Sequence, residues 1–378
     1  MKKFLFLPLV LCMSAGILLS QTSKRSVTLT PSLAIMAYYT GNGTEINQYH
    51  IDELTHLIFS FLHLRGTQLA VDSSTDSVTL RQLSALKNQY PHLKVMVSMG
   101  GWGGCAPCSA AFSTPQGRYQ FAQSVKQILQ TYQLDGIDLD WEYPAIQGYP
   151  GHLFTPQDKE NFTNLIRCLR HELGKKKTIS FAAGGFDEYL RHSIDWRKVV
   201  PLVNYVNLMS YDLVNGYSKV TGLHTPLYSS AKQPESVDNA IHYFDSIKIN
   251  MHKIVIGAAF YARVWTDVPD TNHGLFESGI FTDMVNYKNF DSYFTPANGF
   301  VSYWDNDSQA PYYYSQEKHA FGTFDDVHSV QLKTDYVKER GLGGIMFWEL
   351  TCDKAKDGLL EAIYQRTKNA SSTVKSKH

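Results

Sequence analysis

Apolar residues along this chain fall into short runs separated by stretches of helical periodicity. Residues 33–39 (LAIMAYY), 56–64 (HLIFSFLHL), 93–101 (LKVMVSMGG) and 135–142 (DGIDLDWE) are the first four runs. Residues 178–185 (TISFAAGG), 205–212 (YVNLMSYD), 253–263 (KIVIGAAFYAR) and 343–350 (GGIMFWEL) complete a set of eight. Runs this short and this continuous suit strands buried on both faces. Helical patterns lie between most of them. The clearest starts at Thr155, an N-cap, with Pro156 in the first helical position and Asp158 and Glu160 at the positive dipole end. Phe162, Leu165, Ile166, Leu169 and Leu173 then recur at helical spacing, and Gly174 closes the pattern. Residues 118–134, 234–247 and 326–341 read similarly. Strands alternating with helices predict an α/β fold, a (β/α)8 TIM barrel. An open doubly wound sheet is the alternative, but no GxGxxG turn supports it.

One connection is longer than a helix requires. Between the seventh and eighth runs lie YFTPANGFVSYWDND and APYYYSQEKHAFGTF, rich in aromatic and turn residues. Residues 264–322 are therefore expected to form a small α+β subdomain inserted into one barrel loop, where it would wall a cleft. The expected layout is a signal peptide at 1–20, a barrel built from 21–263 and 323–367, the insertion, and a flexible tail at 368–378.

The fourth run carries acids at alternate positions. Residues two apart on a strand share a face, roughly 6.5–7 Å from one another. Asp138, Asp140 and Glu142 thus point one way, and Ile137, Leu139 and Trp141 the other. In a barrel the apolar set packs on the outer helices. The acids climb the interior toward the C-terminal mouth, where catalytic groups sit, and Glu142 stands nearest it. Three confined carboxylates raise one another's pKa, so Asp138 and Asp140 are expected to share a proton and Glu142 to titrate high, as a general acid requires. A structural salt bridge and a carboxylate metal site are the alternatives. Other predicted strand ends carry Ser98, Gly100, Gly101, Trp102, Met209, Tyr211, Asp212, Tyr261, Arg263 and Trp348, a polar and aromatic set that fits a lined pocket. Ring faces suit a sugar, which is apolar on one side and polar at its rim. Glycosidases normally place two carboxyls on opposite sides of the scissile bond. Here all the acids share one strand, so the substrate itself is a candidate nucleophile.

Composition narrows the partners. Lys+Arg 35 against Asp+Glu 35 leaves no net charge to attract nucleic acid or an anionic membrane. The 23 Tyr, 20 Phe and 6 Trp fit either an aromatic core or a ring-lined groove. Lys2 and Lys3 precede an apolar run and a polar stretch from Ser20, the layout of a secretory signal peptide. The mature protein is then expected to be extracellular, with no membrane association after signal removal. In an exported chain Cys105 and Cys108 (CAPC) are expected to close a small disulfide loop, with two free thiols as the alternative. No HExxH pair occurs, and no metal or cofactor is called for. Asn42, Asn161 and Asn369 stand in Asn-x-Ser/Thr sequons.

The segment DGIDLDWEYP resembles the Asp-x-x-Asp-x-Asp-x-Glu signature of the family 18 chitinases. SMGGW, MSYD, FYAR, TGLHTPLY and GLGGIMFWEL are similar to further family segments, in the same order along the chain. The resemblance implies hydrolysis of chitin or chitooligosaccharides by a retaining, substrate-assisted route without cofactors, in a protein expected to be monomeric. Glu142 would protonate the glycosidic oxygen and the substrate's acetamido oxygen would attack, forming an oxazolinium ion. Asp140 would orient the acetamido N–H, Asp138 would exchange the shared proton, and Tyr211 would bond the acetamido oxygen. Tyr38, Phe61, Trp102, Tyr143, Met209, Asp212, Tyr261, Arg263 and Trp348 carry over as substrate contacts, with Trp348 as the floor. Asp135 is implied to be structural. Tyr217 stands where many relatives have Trp, and Ala258, Ala259 and Ala262 where Val, Pro and Gly are common. Rival readings are a chitin-binding lectin of the same fold, which retention of Glu142 argues against, and an endoglycosidase acting on glycans or peptidoglycan.

Overall fold

The computed structural model describes Met1 and residues 33–368. The expected signal peptide beyond Met1, the tail after Lys368 and the Asn369 sequon lie outside the described residues. Eight strands pair in parallel around a ring: β1 (Ala34–Tyr39), β2 (His56–Arg65), β4 (Lys94–Gly100), β5 (Gly136–Asp140), β6 (Thr178–Gly184), β7 (Tyr205–Met209), β8 (Ile254–Ala259) and β14 (Gly344–Trp348). Pairing of β1 with both β14 and β2 closes the barrel. A short β3 (Gln68–Ala70) folds back on β2 as a hairpin. The (β/α)8 barrel read from the apolar runs is therefore present.

Two packing shells explain why most of the runs are apolar on both faces. Met36, Tyr38, Ile58, Met96, Val255 and Met346 fill the barrel interior. Ile137, Leu139 and Trp141 face outward and pack with Phe112, Phe162 and Leu165 of the helical layer. Each such side chain contributes about 1.5–3 kcal/mol when fully buried. The helices begin on side-chain caps: Thr114 for Pro115–Thr131, Ser236 for Val237–Ser246 and Asp326 for Val327–Glu339. The helix expected from Thr155 starts later, at Asp158. The Asp158 carboxylate accepts from the Thr155 amide and the Ser109 hydroxyl, so it caps the turn itself.

The seventh run is two strands. β8 stops at Ala259, and the Phe260 ring stacks on Phe347 at 4.0 Å. The chain then enters β9 (Tyr261–Thr266), which joins a separate antiparallel sheet. That sheet continues through β10 (Ile280–Asn286), β11 (Val301–Asp305), β12 (Ala310–Ser315) and β13 (Ala320–Thr323). Its first strand thus begins at Tyr261, ahead of the expected boundary at residue 264, because nothing polar separates the two strands.

Candidate active site

The site is built around β5. Asp138 sits in register with Ser98 on β4 and Ser180 on β6. Both hydroxyls donate to its carboxylate, at 2.8 and 2.6 Å, and Tyr38 Oη and Asn207 Nδ2 donate from 3.1 Å each. Burial pushes the Asp138 carboxyl up, and these four hydrogen bonds oppose the shift.

Asp140, one step nearer the mouth, has no comparable set of donors. Its Oδ1 is buried without a partner. Burial raises its pKa well above the usual carboxylate range, and the neighbouring Glu142 and Asp138 raise it further. The Asp140 side chain in turn pulls the Glu142 pKa down. Burial and its carboxylate neighbours thus raise Asp140 further than Asp138. Asp138 is raised by burial too, but its four donors oppose that shift.

Burial pushes Glu142 up to about 7; a hydrogen bond from Tyr143 pulls it down, the Asp212 charge pushes it up, and Asp140 pulls it down again. Across the mouth, Asp212 follows β7 with a left-handed backbone, φ 57°. Burial would raise its pKa, but Arg263 and His224 outweigh this and hold it well below the usual range. The Arg263 guanidinium grips it through both Nε and Nη2, the latter at 2.6 Å, and Tyr261 Oη donates at 2.8 Å. Among the described residues, the Tyr211 hydroxyl has only Met346 Sδ, 3.9 Å away, as a partner. Its ring occupies space left by Gly257, where a Cβ would lie 2.7 Å from it.

Aromatic rings surround these groups. Trp348 stacks on Phe61 (5.5 Å, 18°) and tilts against Tyr38 (5.8 Å). Gly100, at φ 110°, brings β4 so close to the Asp140 carbonyl that a Cβ would sit 2.2 Å from it, which accounts for one glycine of SMGG. Trp102 follows on the same loop, 47% exposed, with Tyr149 and Tyr217 at 5.5 and 6.3 Å. Cis peptide bonds occur at Ser60–Phe61, Glu142–Tyr143 and Trp348–Glu349. The Cys105 and Cys108 sulfurs are bonded just beyond Trp102.

A cleft of about 570 Å³ opens over this array. Of the residues expected at the site, Asp138 lies beneath the cleft wall and Tyr143 behind it. Tyr143 packs on Phe186 and Tyr189. All the other expected catalytic and substrate-contact residues line the cleft. Ala182, Asn215, Gly216, Phe281 and Met284 also line it and were not anticipated. Phe281 and Met284 come from β10 of the inserted sheet. Among the described residues no His/Cys/Asp/Glu cluster could hold a metal ion, and no helix is long and apolar enough to cross a membrane.

A barrel with carboxyls climbing one strand into a ring-lined cleft has the construction of a glycoside hydrolase. Residues 34–353 match the pattern of glycosyl hydrolases family 18. The chain is 33% identical over 301 residues to chitinase A1 of Niallia circulans, covering 73% of this chain and 43% of that protein. It is 29% identical over 378 residues to chitinase B of Serratia marcescens, covering 82% and 75%. Among solved structures, a family 18 N-acetylglucosaminidase from Paenibacillus barengoltzii is 34% identical, with a TM-score of 0.80 over 88% of this chain and 99% of that one. The chain belongs to glycosyl hydrolases family 18. It spans less than half the length of the Niallia circulans relative.

Proposed function

We propose that this protein is a secreted chitinase that cleaves β-1,4-linked N-acetylglucosamine chains with retention, using the substrate's acetamido group as nucleophile. The observation that carries this reading is the pairing of acids in the cleft. Burial pushes Glu142 up to about 7 with Asp140 next to it on the same face of the chain, while Asp212 is occupied by Arg263 and Tyr261. Among the described residues lining the cleft, this leaves no uncommitted carboxylate across from Glu142.

In this mechanism Glu142 donates its proton to the glycosidic oxygen. The acetamido oxygen closes on the anomeric carbon, held by the otherwise weakly engaged Tyr211 hydroxyl. Asp140 turns from Glu142 to the acetamido N–H and, as it gives up its proton toward Asp138, faces the positive oxazolinium ring. Glu142, now a carboxylate, takes a proton from water, which opens the ring. Trp348 lies flat beneath the sugar, and Tyr38, Phe61, Met209, Tyr261 and Arg263 shape its pocket. Export rests on the basic and apolar N-terminal pattern.

The acid form of Glu142 is lost as pH rises through its folded pKa. The basic limb of kcat/KM is therefore expected near pH 7, since kcat/KM reports the free enzyme. A pH profile on chitohexaose checks this; undiminished activity two or more units above that value contradicts the assignment. The product profile on chitohexaose tests the function itself. Dimers and trimers are expected from an internal cut. Exclusive release of the monosaccharide would favour the second reading, an N-acetylglucosaminidase, which the similarity to the Paenibacillus barengoltzii enzyme supports. Cleavage of a high-mannose glycan with chitohexaose left intact would reject both.

A further inference from the structure

The segment TGLHTPLY (residues 221–228) contributes nothing to the cleft lining. It instead meets an ion pair buried in the fold. Lys333, on the helix Val327–Glu339, and Asp325, in the link after β13, have side chains 1% and 0% exposed, with Nζ 2.6 Å from Oδ2. Lys333 Nζ also donates to Thr225 Oγ1. The Thr225 hydroxyl has two acceptors within reach, the Ser210 carbonyl at 3.3 Å and Asp325 Oδ2 at 3.1 Å. Asp325 further accepts from the Ala259 amide at 3.0 Å and the Ser329 hydroxyl at 2.6 Å.

The two backbone groups held here are strand ends. Ser210 directly precedes Tyr211 and Asp212, and its own hydroxyl accepts from the Gly257 amide of β8 at 2.9 Å. Ala259 is the last residue of β8, two before Tyr261. Next to Thr225, His224 reaches Asp212 with Nδ1 at 3.4 Å. A buried ion pair adds little net stability compared with an apolar cluster of equal volume. An apolar cluster, however, could not bind the Ser210 carbonyl and the Ala259 amide.

We propose that Thr225, Asp325 and Lys333 are positioning residues: their buried cluster fixes the ends of β7 and β8 and so places Tyr211 and Tyr261 in the cleft. The catalytic consequence rests on the function proposed above. The cluster itself touches no substrate and acts through the strand ends it holds.

Thr225→Ser keeps the hydroxyl and loses a buried methyl; Thr225→Val keeps the shape and loses the hydroxyl. Measured on chitohexaose well below the melting temperature, Thr225→Ser is expected within about threefold of native kcat/KM. Thr225→Val is expected to fall about tenfold or more, chiefly in kcat, because Tyr211 acts on the developing intermediate. A purely packing role gives the opposite order, with the serine variant the worse in both activity and melting temperature. Thr225→Ala supplies a second hydroxyl-free variant and is expected to follow the valine. Equal kcat/KM for Thr225→Val and Thr225→Ser overturns the proposal. Crystal structures of the pair read it without substrate: residues 210–212 should shift in the valine variant alone, and superimposable strand ends overturn it. Failure of the native protein to cleave any chito-oligosaccharide would sink the functional reading and leave this structural comparison to decide the positioning role.

Discussion

Glu142→Gln should lower kcat on chitohexaose by about 10²–10⁴-fold while leaving the fold and oligosaccharide binding in place. The amide matches the carboxyl in shape but has no proton of suitable acidity to give the leaving oxygen and cannot later act as a base. Glu142 is well suited to both tasks because burial pushes its pKa up to about 7. At neutral pH it therefore loses and regains a proton with little cost. Circular dichroism and calorimetric titration of the variant with chitohexaose would establish that folding and binding persist. Retention of most of the native kcat would remove Glu142 from the mechanism.

The second large effect is expected at Asp140. Asp140→Asn should reduce kcat by roughly 10²–10³-fold, the range found when one preorganised electrostatic partner is lost. The asparagine amide can still donate to Glu142, so the loss isolates what a neutral side chain cannot do, which is to become an anion beside a cationic ring. Asp140→Ala removes the donor as well. The Asp140 side chain holds the Glu142 pKa down. Without it the folded pKa rises, so Glu142 stays protonated to higher pH and the basic limb of kcat/KM should move upward. The asparagine variant should keep that limb near its native position. An unchanged limb in the alanine variant would contradict the pairing of these two acids.

The barrel was legible because its strands are buried on both faces, which writes most of them as continuous apolar runs. The same continuity hid one boundary. In IVIGAAFYARVWT no polar or turn residue marks the passage from β8 to β9, so Tyr261 and Arg263 read as the end of a barrel strand although they begin the inserted sheet. The β3 hairpin was missed because Gln68–Ala70 is too short to show a period. At the site, period-two alternation on β5 identified which acids face inward. It could not show how differently the three acids are held, because that depends on donors from β1, β4, β6 and β7. Ser98, Ser180, Tyr38 and Asn207 converge on Asp138 only once the barrel closes. Phe281 and Met284 were invisible for a related reason: their approach to the cleft is set by how the inserted sheet folds over the mouth, and no local pattern encodes it.

The claim that ties these observations together is that the substrate's acetamido group, and not water, makes the first bond to the anomeric carbon. Two displacements at that carbon leave its configuration unchanged, whereas direct attack by water inverts it. Proton NMR of chitohexaose hydrolysis, recorded before the products mutarotate, reads the configuration of the new reducing ends. The account predicts the β-anomer as the first product; an initial α-anomer would contradict it.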